Sequence, residues 1–130
     1  MADSDGAASS AASSANDDAL RYVRAVRQKT FQRWFNARLA EKYGPKARFV
    51  QDLRVDLCTG IFLINLLHAL YALPNPAFIL RPVCRDDYME NVDLAYRMMY
   101  QAGINTTWIP PEDIVDKKID SVLNLVWLII

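Results

Sequence analysis

The chain is 130 residues long, carries 15 Lys and Arg against 15 Asp and Glu, and is 52% hydrophobic by residue type. That length suits one domain with a tail and excludes two full cores, while zero formal net charge argues against a nucleic-acid binder, which normally shows a basic excess. The longest strongly apolar stretch, Leu125 to Ile130, is far short of the roughly 20 residues of a bilayer span; with no signal-like start and only two cysteines, the expectation is a cytoplasmic domain.

Residues 1–17 are predicted to be a disordered tail. The first 19 residues hold seven Ala, five Ser and no aromatic side chain, too little apolar area to offset the entropy of ordering. The domain is then expected over residues 18–130. Asn16, Asp17 and Asp18 supply an N-cap and first-turn acids. From there Leu20, Val23, Val26, Phe31, Trp34, Phe35 and Leu39 recur at helical spacing, predicting one long amphipathic helix that stops before Gly44-Pro45. A second helix is predicted after Gly60, apolar on a wide front through Ile61, Leu63, Ile64, Leu66, Leu67 and Leu70. Pro74, Pro76 and Pro82 mark the next stretch as a loop. Tyr88 to Ala102 reads as helix with Gly103 as its stop, and Pro110-Pro111 open a short helix over Glu112 to Val115. Ile119 to Ile130 forms the last helix. No segment alternates with period two, so the fold class is all-α, with about four main helices and short connecting ones.

The net charge conceals a segregation. Residues 1–19 have four acids and no base, residues 20–48 have nine bases against Glu41 alone, and residues 49–130 have six bases and ten acids. A basic first helix on an otherwise acidic domain is an electrostatic docking face or a solvated surface.

The residue inventory argues against catalysis. His68 is the only histidine and Ser121 the only serine after the tail, and His68 falls within an apolar helix, where a packing role is expected. Cys58 and Cys84 lack further ligands for zinc, and Cys58 reads as a small core residue. Glu112, Asp113, Asp116 and Asp120 lack the loop spacing of a calcium site, and Lys117 and Lys118 stand among them. No cofactor or metal is expected, and a binding module is the reading.

Five motifs in register give that module a family. Lys29-Thr30-Phe31-Gln32-Arg33-Trp34-Phe35-Asn36 resembles the first helix of the calponin-homology domain. Asp52-Leu53, Asp56-Leu57, Gly60, Leu63, Leu66 and Leu67 are similar to its segment DLxxDLxxGxxLxxLL. Glu90-Asn91-Val92 resembles its ENV motif, Pro111 to Asp116 its PEDIVD, and Leu125-Val126-Trp127 the LVW of its final helix. The set is most similar to the first domain of the tandem actin-binding regions of spectrin, α-actinin, plectin and filamin. Most of these positions are expected to serve the fold. Phe31, Trp34 and Leu39 should face the core, Asp56 and Thr59 should cap the second helix, and Glu90 and Asn91 should orient a loop by hydrogen bonds. Trp127 should sit centrally in the core against the first two helices, so that Trp127→Ala costs about 3–5 kcal/mol. Two departures stand out: Thr59-Gly60 replaces the usual Asp-Gly, and Lys117-Lys118 follows PEDIVD where the family often has Gly, which should lengthen the short helix.

The resemblance implies actin filaments as the partner, met by two surfaces. Arg24, Arg27, Gln28, Lys29, Gln32, Arg33 and Asn36 form the first, which coincides with the basic segment. Lys117, Lys118, Ser121, Val122 and Leu125 form the second. The alternative is an adaptor for microtubules or another cytoskeletal protein; an anionic membrane surface would be a weak partner through the same cations. The chain is expected to be the N-terminal part of a longer cytoskeletal protein.

Overall fold

The computed structural model describes the backbone of residues 2–71, 73 and 76–130, and side chains from residue 15 onward within that range. Among the described residues there are six helices: α1 (Ala2–Tyr43), α2 (Leu53–Leu57), α3 (Ile61–Tyr71), α4 (Arg85–Gln101), α5 (Pro111–Val115) and α6 (Ile119–Ile129). No strand occurs among the described residues, as the sequence pattern required. Among them, no helix is long and apolar enough to cross a membrane. The chain divides into two compact units, residues 1–30 and 31–130. The disorder expected of residues 1–17 falls on a stretch whose side chains lie outside the described residues through residue 14.

In the first unit, Leu20, Val23 and Val26 are 56, 52 and 46% exposed. Their helical spacing gives them a common face but does not supply anything to cover it. The apolar stripe of α1 is buried only in the second unit, through Phe31, Phe35 and Leu39.

The core of the second unit joins these three to Leu53 and Leu57 of α2, four residues of α3, Val92, Ala95, Met98 and Met99 of α4, Ile114 and Val115 of α5, and five residues of α6. Each large side chain so buried stabilises the fold by about 1.5–3 kcal/mol in transfer free energy. Phe35 meets Phe62 edge-on, with centroids 6.5 Å apart, a favourable arrangement of ring quadrupoles.

Local chemistry sets the helix ends. Five residues make a weak helix, because nucleation costs more than one turn returns, and α2 depends on reciprocal caps. Asp52 Oδ1 accepts from the amides of Arg54 and Val55 at 3.0 and 3.4 Å, while Asp56 Oδ2 accepts from those of Gln51 and Asp52 at 2.7 and 2.9 Å. This corrects the expectation that Asp56 caps the helix after Gly60: it lies inside α2 and reaches back to that helix's own N-terminus. Thr59 contributes little to α3, its Oγ1 being 3.5 Å from the Ile61 amide. Helix α4 begins three residues earlier than predicted, with the Asp87 carboxylate accepting from the Val83 amide at 3.0 Å.

Asn91 is fully buried. Its Oδ1 accepts from Ile79 N–H at 2.8 Å, and its Nδ2 donates to the carbonyls of Ile79 and Thr59 at 2.9 and 3.0 Å. The expected loop-orienting role belongs to Asn91, whereas Glu90 is exposed. Beside it, Gly60 has φ +80°, and a Cβ there would meet Asn91 Cβ at 2.6 Å, Asn91 C at 2.7 Å and Val92 N at 2.8 Å. Only glycine fits that contact.

The end of α5 departs from expectation. Lys117-Lys118 does not lengthen the helix; Lys117 adopts φ +61°. The Lys118 amide donates to Asp113 O at 2.9 Å and the Lys117 amide to Ile114 O at 3.2 Å. This is a Schellman stop with lysine where glycine is preferred. Gly103 performs the same turn after α4 at φ +82°, with Ile104 N–H donating to Met99 O at 2.9 Å.

Candidate interaction surface

The residues of the first expected surface have different fates. In the first unit, Lys29 is exposed, whereas Arg24, Arg27 and Gln28 are half-buried. Arg24 and Arg27 both make interactions, and Arg21 lies 4.0 Å from the Asp18 carboxylate one turn earlier. In the second unit, Arg33 is exposed and Gln32 half-buried. Lys29 and Arg33 make no ion pair among the described residues. Asn36 is engaged within the fold: its Oδ1 accepts from Val50 N–H at 2.7 Å and its Nδ2 donates to Val50 O at 2.9 Å. A side-chain amide that closes both hydrogen bonds of one backbone residue fixes the loop after α1, spending one of its two donors and one of its two acceptor sites within the fold.

The second surface requires correction. Val122 and Leu125 are fully buried, so neither offers its side chain to a partner. They face inward with Leu123, Val126 and Ile129, the other buried positions of α6, which together cover one broad side of the helix. Ser121 Oγ donates to Asp113 Oδ2 at 2.8 Å, and Lys118 Nζ lies 3.2 Å from Asp113 Oδ1. One carboxylate thus clamps the end of α5 to the start of α6. Lys117 alone in this group extends from a strained backbone without a carboxylate partner among the described residues.

Trp127 is the residue whose placement sequence reasoning missed. It is 62% exposed, and its ring stacks on Phe31 with centroids 6.2 Å apart and planes 22° from parallel. It does touch the first helix, as expected, but from outside the core. Asp120 and Asn124 carried the signal: positions 120, 124 and 127 follow one outer face of α6.

The rest of the chemistry is structural. His68 Nδ1 donates to Leu73 O at 2.6 Å, a loop contact from a half-buried ring. The Cys58 thiol donates to Val55 O at 3.0 Å; burial pushes its pKa up, with the Lys117 ammonium pulling the other way, so it stays protonated at neutral pH. Tyr96 is raised further, chiefly by burial and then by Asp113, and its hydroxyl donates to Ile109 O at 3.1 Å. Arg85 grips Asp116 with two hydrogen bonds of 3.1 and 3.2 Å, which lower the carboxyl pKa. No cluster of three or more His, Cys, Asp or Glu able to hold a metal occurs among the described residues.

A six-helix core knitted by Asn36, Gly60 and Asn91 agrees with comparison to known families. Residues 25–130 match the Calponin homology (CH) domain, and the chain belongs to that family. It is 34% identical over 105 residues to Filamin-A of Drosophila melanogaster, covering 81% of this chain and 5% of that protein. It is 36% identical over 105 residues to Alpha-actinin-like protein 1 of Schizosaccharomyces pombe, covering 81% of this chain and 16% of that one. Against Utrophin of Rattus norvegicus the identity is 31% over 105 residues, 81% of this chain and 3% of the relative. The chain therefore spans a small fraction of the length of these relatives.

Proposed function

We infer that this chain is a cytoskeletal binding module that docks on actin filaments, with the basic segment of residues 20–48 as its principal contact. The observation that carries the reading is the exposure of Lys29 and Arg33, with no ion pair among the described residues, inside a segment of nine bases and one acid. Unpaired surface cations steer a domain toward an acidic filament and raise its rate of encounter. Kinship with a filamin, an α-actinin-like protein and a utrophin supports the same partner. The contribution of α6 is narrower than its motif implies, since Val122 and Leu125 are withdrawn and Lys118 and Ser121 hold Asp113.

The test is co-sedimentation of the parent and of Lys29→Glu/Arg33→Glu with actin filaments, microtubules and anionic vesicles in parallel. Each protein is checked for folding by circular dichroism. The double variant should bind actin at least tenfold more weakly at low salt, about 1.4 kcal/mol, and parent binding should fall as salt rises. Equal pelleting of both proteins would remove the basic segment from the mechanism. Parent pelleting only with microtubules or vesicles would replace actin as the partner.

A further inference from the structure

A cavity of about 570 Å³ opens within the second unit, between the end of α1, α2 and the first turns of α3. Such a volume lies in the range of small-molecule sites, which combine apolar walls with a few convergent polar groups. Leu39, Val55, Ile61 and Phe62 supply the apolar wall, and Leu80 completes it. Leu80 is 73% exposed, an aliphatic side chain held in water at the cavity and available to cover an apolar guest.

The charges in the cavity are unbalanced. Arg48 and Lys117 both line it, are exposed, and have no carboxylate partner among the described residues. The acid present, Asp56, is committed to the Gln51 and Asp52 amides at 2.7 and 2.9 Å. The left-handed backbone at Lys117 fixes where its side chain departs. Its charge is felt at the buried Cys58 thiol, which also lines the cavity.

We propose that this cavity binds a small amphipathic anion, an apolar body bearing one carboxylate that Arg48 and Lys117 hold. The apolar wall takes the body by burial, and the two cations select the sign of the head group. Of the two expected filament surfaces this site shares only Lys117, and neither Lys29 nor Arg33, so Arg48→Gln tests it independently of actin binding.

Sodium decanoate is the probe, compared with decyltrimethylammonium and decanol, each below its micelle threshold. Binding is followed by amide chemical shifts of the isotope-labelled 130-residue chain. Decanoate should shift Arg48, Thr59, Phe62 and Leu80 saturably and bind at least about tenfold more tightly than the cation of equal chain length. Arg48→Gln and Lys117→Gly should each weaken decanoate several-fold. Lys117→Gly relieves backbone strain, so it should melt no lower than the parent while binding less well, which separates lost affinity from lost folding. Equal affinity for the two head groups, shifts confined to other residues, or unchanged affinity in both variants would overturn the proposal. So would shifts of the cavity amides by anionic vesicles but not by decanoate.

Discussion

Phe31 and Trp127 stack at 6.2 Å with planes 22° apart, but they stand on opposite sides of the core boundary: Phe31 is buried and Trp127 is 62% exposed. Phe31 is the roof of the core and Trp127 lies over it. Truncating Trp127 therefore removes one ring contact and part of one apolar surface, without leaving a closed cavity. Trp127→Ala should cost about 1 kcal/mol, in the range of an aromatic pair, and lower the melting temperature by roughly 5 °C. This replaces the loss of about 3–5 kcal/mol expected of a central core residue. A measured loss above about 3 kcal/mol by urea denaturation would return Trp127 to the interior.

Asn91→Ala should cost more stability than Trp127→Ala, because Asn91 is fully buried and makes three hydrogen bonds. Asn91→Ala removes a fully buried side chain and leaves the half-buried Ile79 amide and the carbonyls of Ile79 and Thr59 without this partner. Unsatisfied buried groups cost about 1–3 kcal/mol each at the upper end, and the variant should lose about 3 kcal/mol or more. Urea titration measures it; a loss below about 1 kcal/mol would mean that water replaces the side chain at no cost.

The two helix stops form a matched experiment. Lys117 at φ +61° and Gly103 at φ +82° make the same turn with different residues. A left-handed backbone costs an L-residue roughly 1–2 kcal/mol. Lys117→Gly should raise stability by about 1 kcal/mol, and Gly103→Ala should lower it by a similar amount, since a Cβ at 103 meets nothing within 4 Å and strain alone acts. Thermal melts of the two variants should move in opposite directions.

The Arg85–Asp116 pair sets a pH dependence. Its hydrogen bonds lower the Asp116 pKa from 3.8, so the folded state holds this proton less tightly than the unfolded state. The pair's stabilisation is present above the unfolded value and is lost as pH falls through the folded one. Both side chains are largely exposed, so the effect is small and salt-sensitive. Arg85→Gln should be less stable than the parent at neutral pH, and the two stabilities should converge below about pH 4. A constant difference down to acid pH would show that Arg85 acts through packing instead.

Much of the fold was legible because it depends on residues with few alternatives. Gly44-Pro45 ended α1, Gly60 opened α3, Pro111 opened α5, and Gly103 closed α4, each by a backbone property of its own. The long apolar spacings gave the helices between them. The site was less legible. Helix α6 is apolar on nearly every side, so hydrophobic periodicity alone did not separate Val122 and Leu125, which face in, from Trp127, which faces out; the sparse polar positions 120 and 124 were the better guide. Asn36 resembled a surface polar residue, yet its partner is Val50, fourteen residues away, and no local pattern encodes that pairing. The strain at Lys117 had a trace in the family's preference for glycine, but the Lys117-Lys118 pair itself suggested a longer helix.

Gly60 and Asn91 also limit how the chain can change over generations. Of the three atoms that a Cβ at position 60 would strike, two belong to the main chain, Asn91 C and Val92 N. Only glycine at 91 would remove the Cβ clash, and it would leave the other two while discarding the hydrogen bonds that tie 59, 79 and 91 together. A substitution at 60 thus has no second-site rescue at its neighbour. A larger residue at 60 therefore requires the main chain at 60 and that at 91 and 92 to move apart.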